Sequence, residues 1–395
     1  MKRIICLIAV IYSMLPSSSQ GLNSKAIDVV TVENVRYEIH KSYFDGETGL
    51  YAIVLPLEDF DNPQKKMYKG TVEIKESIKY GESDCEVLYI GPNAFRSCTE
   101  LNEVILPENI YGLMSHAFAE CGELRLNQIS SIRFIESYAF NKTNAIVNVD
   151  LRKIARLGGY AFAGWDISDI TLGTGLSMLQ TYAFKDSNVK NIVFENSDDF
   201  TDSELLIAAH AFTQFNVTEL KIPNRELLTL SSEFCYDCPT LERIILPDKG
   251  LINFSGDFQT WDNRDGRFTQ SDNLIAKCPN LKELVVMSVA PPKFYQWTEE
   301  NIQTPPITDD YSLCVLKVPQ GSENLYRADP VWGRFEHIEG FAPGEYSGSG
   351  EATIVDVIPE SAPVYYNLQG FRVADPIKGR LYIRVTDTKS AKVIY

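Results

Sequence analysis

Basic charge is the first thing this chain is short of. Its 395 residues hold 37 Lys and Arg against 53 Asp and Glu, a formal net charge of −16. A surface of that sign repels phosphate backbones and anionic headgroups, so neither nucleic acid nor a charged membrane surface is expected as a partner. Histidine is scarce, with four in the whole chain, and none stands at metal spacing from a cysteine pair. Long apolar runs are missing after residue 21: no later stretch reaches the eighteen or so residues of a membrane helix, and no membrane insertion is expected. No nucleophile with a base, phosphate-cradling glycine loop or metal-binding helix occurs at a meaningful spacing, so the reading is of a non-enzyme with no cofactor and no metal. A pair of carboxylates joined only in space would escape that search.

At the front, Lys2 and Arg3 precede an apolar run from Ile4 to Leu15 and a small-residue exit at Ser17-Ser18-Ser19. Residues 1–21 read as a secretory signal peptide, with the mature chain starting near Gln20 to Asn23. Cys6 lies at the front of the apolar run, whereas a lipid-bearing cysteine would follow it.

The strongest signal is a recurring Ala-Phe: Ala94-Phe95, Ala117-Phe118, Ala139-Phe140, Ala161-Phe162, Ala183-Phe184, Ala211-Phe212 and the degenerate Glu233-Phe234, in steps of 23, 22, 22, 22, 28 and 22 residues. A period in the twenties marks a solenoid, in which each coil buries its apolar face only when a neighbour stacks on it. Within a copy, Ile90, Ala94-Phe95, Cys98, Leu101, Val104, Leu106 and Pro107 set the pattern. The fragments from Cys238 to Pro247 and from Cys278 to Val286 repeat its spacing. The alternating positions at the end of each unit read as a short strand with one buried face, and stacked strands make a parallel sheet. Phe fills the interior, and Ala is small because backbones pack closely there.

This consensus resembles the BspA-like leucine-rich repeat family of cell-surface proteins over roughly residues 28–340. Val35–Ile39 and Tyr68–Ile74 are similar to that family's N-terminal segment. Ala290-Pro291-Pro292, Leu316–Ser322, Tyr326, Trp332 and Phe335 are similar to its last coil and cap. The resemblance implies a mainly β protein with short helical turns: a right-handed solenoid with a parallel sheet, capped at both ends. It also implies retention at the bacterial cell surface and adhesion to host matrix or other cells. Two copies depart from the pattern, the strand at Leu124 to Ile129 and the Glu233 that replaces Ala.

The expected organisation is a signal peptide (1–21), an N-terminal β cap (22–84), the repeat solenoid with its C-terminal cap (85–340), a Gly, Ser, Glu and Pro-rich linker (341–362) and a small C-terminal β module (363–395). In the last, Tyr365–Val373, Lys378–Ile383 and Lys392–Ile394 are strand-like. The tail resembles the sorting module of surface proteins exported by the type IX route. A plain β cap is the alternative.

Side chains between the buried strand positions face outward. They are Glu103 and Ile105, Asn148 and Asp150, Asp169 and Thr171, Asn191 and Val193, Glu219 and Lys221, Arg243 and Ile245, and Glu283 and Val285. That row, together with the long 248–277 loop and its Phe254, Phe258, Trp261 and Phe268, is the expected binding surface, because a rigid solenoid holds such loops still. The expected partner is an extracellular protein, and the alternative is a glycan bound by an accessory protein of the envelope. Cys98, Cys121, Cys238 and Cys278 fall at one repeat position and read as buried thiols or as bridges between coils. Cys235 and Cys238 form a C-x-x-C without a second pair. His116, Tyr138, Tyr160, Tyr182 and His210 share the position before Ala-Phe and form a ring column, structural or ligand-facing. Two acidic clusters, Glu195 to Glu204 and Asp257 to Asp272, lack the ordered spacing of a calcium loop and read as solvated loops.

Overall fold

The computed structural model describes residues 26–44, 47–58, 67–146, 150–197, 199, 201, 203–255, 260–262, 267–269, 273–292, 307–308, 310–346, 364–366, 372–373, 381–386 and 389–394. The signal peptide and most of the linker lie outside these residues. The chain divides into two units, Met1–Phe341 and Ala342–Tyr395.

The first unit is wound from coils, and each coil carries two strand segments flanking the Ala-Phe turn. The strands after Phe are the ones the alternation predicts. Asp169–Leu172 and Asn191–Phe194 pair in parallel, residue for residue at a 22-residue offset, with Ile170, Leu172, Ile192 and Phe194 turned inward. Equivalent strands form two larger parallel sheets. Gly70–Glu73, Leu101–Ile105, Gly122–Leu126 and Thr143–Ile146 make the first, while Glu219–Lys221, Arg243–Leu246, Glu283–Val286, Val315–Pro319 and Ile338–Phe341 make the second.

The strands before Ala-Phe build a ladder that the pattern did not disclose. Gly112–Leu113, Phe134–Ile135, Arg156–Leu157, Met178–Leu179, Glu204–Ile207, Leu227–Ser231 and Leu251–Ser255 stack in parallel within one 12-stranded sheet. Several of these strands are two residues long, too short to show an alternation. The N-terminal end of this sheet is antiparallel: Ala26–Val32, Val35–Phe44 and Glu47–Leu55 cap the first coil, and Ser83–Ile90 joins them to the parallel stack. At the other end the helix Glu323–Ala328 and the 3-10 turn Trp332–Arg334 form a cap. Tyr326 and Trp332 are fully buried there, donating to the carbonyls of Ser288 (2.6 Å) and Pro292 (2.9 Å).

The Ala-Phe turn explains itself. The Phe N–H donates to the Ala carbonyl of the next coil at Phe95–Ala117, Phe118–Ala139, Phe140–Ala161 and Phe162–Ala183, at 2.8–2.9 Å. A larger side chain than Ala would hold the coils apart at this close approach. The rings of Phe95, Phe118, Phe140, Phe162 and Phe184 are fully buried and stack nearly parallel at 5.0–5.8 Å. Burial of each ring contributes about 2–3 kcal/mol and each ring pair about 0.5–1.5 kcal/mol more. After the 28-residue step the column is handed on: Phe184 meets Phe215 at 6.0 Å, and Phe215 meets Phe212 at 5.2 Å.

Two left-handed residues bracket every such turn. Asn93, His116, Tyr138, Tyr160, Tyr182, His210 and Glu233 precede Ala-Phe, and Ser97, Glu120, Lys142, Gly164, Asp186, Gln214 and Asp237 follow four residues later, all with φ between 51° and 72°. The chain reverses direction at these points.

The second unit contains one antiparallel sheet in the order Arg372–Val373, Val364–Tyr366, Leu381–Thr386, Lys389–Ile394. Four strands stand where the sequence reading has three pieces.

Candidate interaction surface

On the strands after Phe, register lines the outward residues up across coils. Asp169 pairs with Asn191, and Thr171 with Val193. Asn191 donates to Asp169 Oδ1 at 2.6 Å, and Ser168 donates to the same carboxylate. These two bonds, Ser168 first, hold the Asp169 carboxyl below its ordinary range. Val193 is left 54% exposed beside this polar pair. Farther along, Glu219, Arg243 and Glu283 share one row, and Lys221, Ile245, Val285 and Lys317 the next. Arg243 donates to Glu219 Oε2 at 2.9 Å and Glu283 Oε2 at 2.5 Å, which push its guanidinium further above its ordinary range. Lys317 reaches Glu339 at 2.7 Å, which extends the second row beyond the residues read from sequence.

Three expected surface residues, Ile245, Val285 and Phe254, are buried instead. Ile245 is 3% exposed, as its register neighbour Val285 is 0%. Alternation places both on the outer side of the sheet, in a row flanked by Lys221 and Lys317, but it does not say whether that side is covered. Phe254 is 2% exposed. It sits in Leu251–Ser255, the last strand of the long sheet, and its ring stands 6.3 Å from Trp332 of the C-terminal cap. The first residues of the long loop are therefore wall. Phe258 lies outside the described residues. Trp261 and Phe268 face each other in register in the antiparallel pair Thr260–Asp262 and Arg267–Thr269, their side chains outside the described set.

The ring column is real and extends one coil beyond the sequence reading. His116, Tyr138, Tyr160, Tyr182, His210 and Tyr236 follow one another at 4.8–5.0 Å, with the first three pairs at 9°, 5° and 38°. From His116 to His210 neighbouring rings overlap face to face, whereas Tyr236 meets His210 edge-on at 71° and lies under Lys277 Nζ at 4.7 Å. Stacking of a sugar ring needs a free aromatic face, and between His116 and His210 the inner faces are taken by neighbouring rings. Burial, then the charge of Arg96, holds the His116 imidazole below its ordinary range. His210 bonds Glu233 at 3.0 Å.

The chain's kinship can now be stated. A family model described as BspA type leucine rich repeat region (6 copies) matches residues 22–147, 64–190 and 188–259, together more than half of the chain. The chain belongs to that family. Among solved structures, a leucine-rich repeat protein from Bacteroides ovatus is 18% identical over 76% of this chain and 80% of that one, with a TM-score of 0.32. A leucine rich cell surface protein from Faecalibacterium prausnitzii is 12% identical, covering 75% and 89%, with a TM-score of 0.29. The pneumococcal vaccine antigen PcpA is 14% identical, covering 80% and 99%, with a TM-score of 0.30. No curated protein matches the chain.

In this BspA-type solenoid the cysteine position has a job the sequence reading missed. Cys121 donates to the Phe95 carbonyl (3.0 Å), Ser187 to that of Phe184 (2.7 Å) and Cys238 to that of Phe212 (2.8 Å), while Thr143 donates to Phe118 O. The position selects a small donor that satisfies a buried carbonyl, which Ser and Thr fill as well as Cys. Cys98, Cys121 and Cys238 are buried and Cys278 is half-buried. Burial pushes the Cys121 thiol up to about 12. Among the described residues no group of three or more His, Cys, Asp and Glu is arranged to hold a metal ion.

Proposed function

We propose that this chain is a non-catalytic interaction protein, exported and retained at the bacterial cell surface, that binds an extracellular protein of host matrix or cell surface. The binding surface consists of Asp169, Thr171, Asn191, Val193, Glu219, Lys221 and Arg243 on the strands after Phe, joined by the hairpin of Trp261 and Phe268. The observation that carries this reading is Val193, a branched apolar side chain 54% exposed on a rigid ladder and flanked by hydrogen-bonding groups. An apolar anchor with a polar rim is the arrangement on which protein interfaces concentrate their energy. The second unit is the delivery module in this reading.

The test is binding of the full chain to immobilised matrix proteins and to a glycan array. A matrix-protein ligand whose affinity falls about tenfold or more in Val193→Asp supports the reading. A second variant replaces 256–272 with a short Gly-Ser link and leaves Leu251–Ser255 intact, since Phe254 is core. Binding to glycans alone, unaffected by Val193→Asp, would replace this reading with that of an accessory glycan-binding protein.

A further inference from the structure

Three thiols meet at one corner of the solenoid. Cys235 pairs in register with Ile275 and Tyr236 with Ala276. The same count sets Cys278 beside Cys238 on the adjoining coil, although residues 238 and 278 are 40 apart in sequence. Neighbouring strands stand about 4.8 Å apart, inside the range of about 4.4–6.8 Å that the Cα atoms of a disulfide span. Cys235 and Cys278 lie close enough to the Cys238 sulfur to hold its thiol below the ordinary range, while its own proton points to Phe212 O at 2.8 Å. Exposure separates the three: Cys235 and Cys238 are buried, and Cys278 is half-buried. The 39 residues between the pair are the excursion that carries Leu251–Ser255 and the hairpin strands Thr260–Asp262 and Arg267–Thr269. Cys98 and Cys121 stand one coil apart at the same repeat position, and both are buried.

We propose that Cys238 and Cys278 are a modification site, forming a reversible disulfide between coils that ties the base of this excursion when the protein meets a small-molecule disulfide. The Cys278 sulfur, as thiolate, attacks one sulfur of the oxidant RSSR, giving Cys278–S–S–R and RS⁻. The Cys238 sulfur then attacks Cys278 and displaces the second RS⁻. The protons of the two protein thiols end on the two RS⁻ groups, and two electrons pass from the protein to the oxidant. Cys235 stays a thiol. Cys235 keeps its proton throughout and favours the Cys238 thiolate that the second step requires. The neighbouring Cys238 sulfur, then burial, holds the Cys278 thiol above its ordinary range, so the first step quickens as pH rises. Cys98 and Cys121 have the same spacing but no exposed member, so they do not take the first step.

The experiment equilibrates the full reduced chain in glutathione buffers of stepped ratio, alkylates it, and maps peptides without reduction. A Cys238–Cys278 peptide is expected to accumulate with oxidised glutathione while Cys98 and Cys121 stay alkylatable after denaturation. Oxidation is expected to raise the Tm. Cys278→Ser should remove both the cross-link and the rise in Tm, and Cys235→Ser should keep both. The proposal is overturned by a Cys235–Cys238 cross-link in place of the expected one, by oxidation of Cys98–Cys121 at the same ratio, or by thiols that stay reduced throughout. None of these outcomes depends on which macromolecule the surface binds.

Discussion

Individual residues show where the coil tolerates change. Gly158 is a position of close approach: a Cβ there would lie 2.4 Å from the Glu136 carbonyl carbon and the Ser137 nitrogen, both backbone. Gly164 has φ +72° with open space around its Cβ direction, and Glu120, Lys142 and Asp186 hold the same turn position in neighbouring coils. Gly158→Ala should therefore cost several kcal/mol in denaturant titrations, and Gly164→Asn less than about 1 kcal/mol. Glu136 carries a pH signature. Burial raises its carboxyl above the ordinary 4.5, against the pull of Arg156. The folded value exceeds the unfolded one, so ionisation is penalised in the fold at neutral pH, and the penalty disappears below the unfolded value. Glu136→Gln should raise the Tm at pH 7, and the gain should vanish by about pH 4. The Phe column was legible in sequence because only a buried repeat keeps one ring at one stride. The left-handed Tyr and His residues were not, since a side chain before Ala-Phe reveals nothing of its φ. Ile245, Val285 and Phe254 were misread because alternation tells which side of a strand a residue takes, not what lies on that side.

Elements show a division of labour between the two ladders. The strands after Phe carry the exposed chemistry, and their three to five residues were long enough to show their period. Four of the strands before Phe are two residues long and show none, yet this ladder is the most continuous sheet among the described residues. The charged row on the former invites a test. Arg243 joins Glu219 and Glu283 across adjacent strands, with its side chain 38% exposed. Arg243→Gln should cost no more than about 1 kcal/mol, as exposed pairs do. Arg243→Glu sets three carboxylates in register and should cost more, about 1–2 kcal/mol. Melts in low and high salt check the cause, because screening should shrink the second loss more than the first.

The whole solenoid behaves as a sum of like units. Each coil meets only its neighbours, so removing one entire period should leave the phase of everything downstream intact. Deleting Ala139–Tyr160 joins Tyr138 to Ala161, one left-handed ring residue in place of another. The shortened chain should keep its β circular dichroism and a cooperative melt with lower Tm. Deleting residues 139–149 removes half a period and Phe140 with it, throws Phe162 and its successors out of line, and should abolish that melt. The parallel ladders carry a further consequence. Hydrogen bonds between coils run across the chain direction, and many strands contribute only two residues to them. Under tension such a tether should pay out stepwise, each rip freeing one winding of about 75 Å of contour. Between a cell and whatever it holds, the protein would then act as a shock absorber, lengthening under load before its grip is broken.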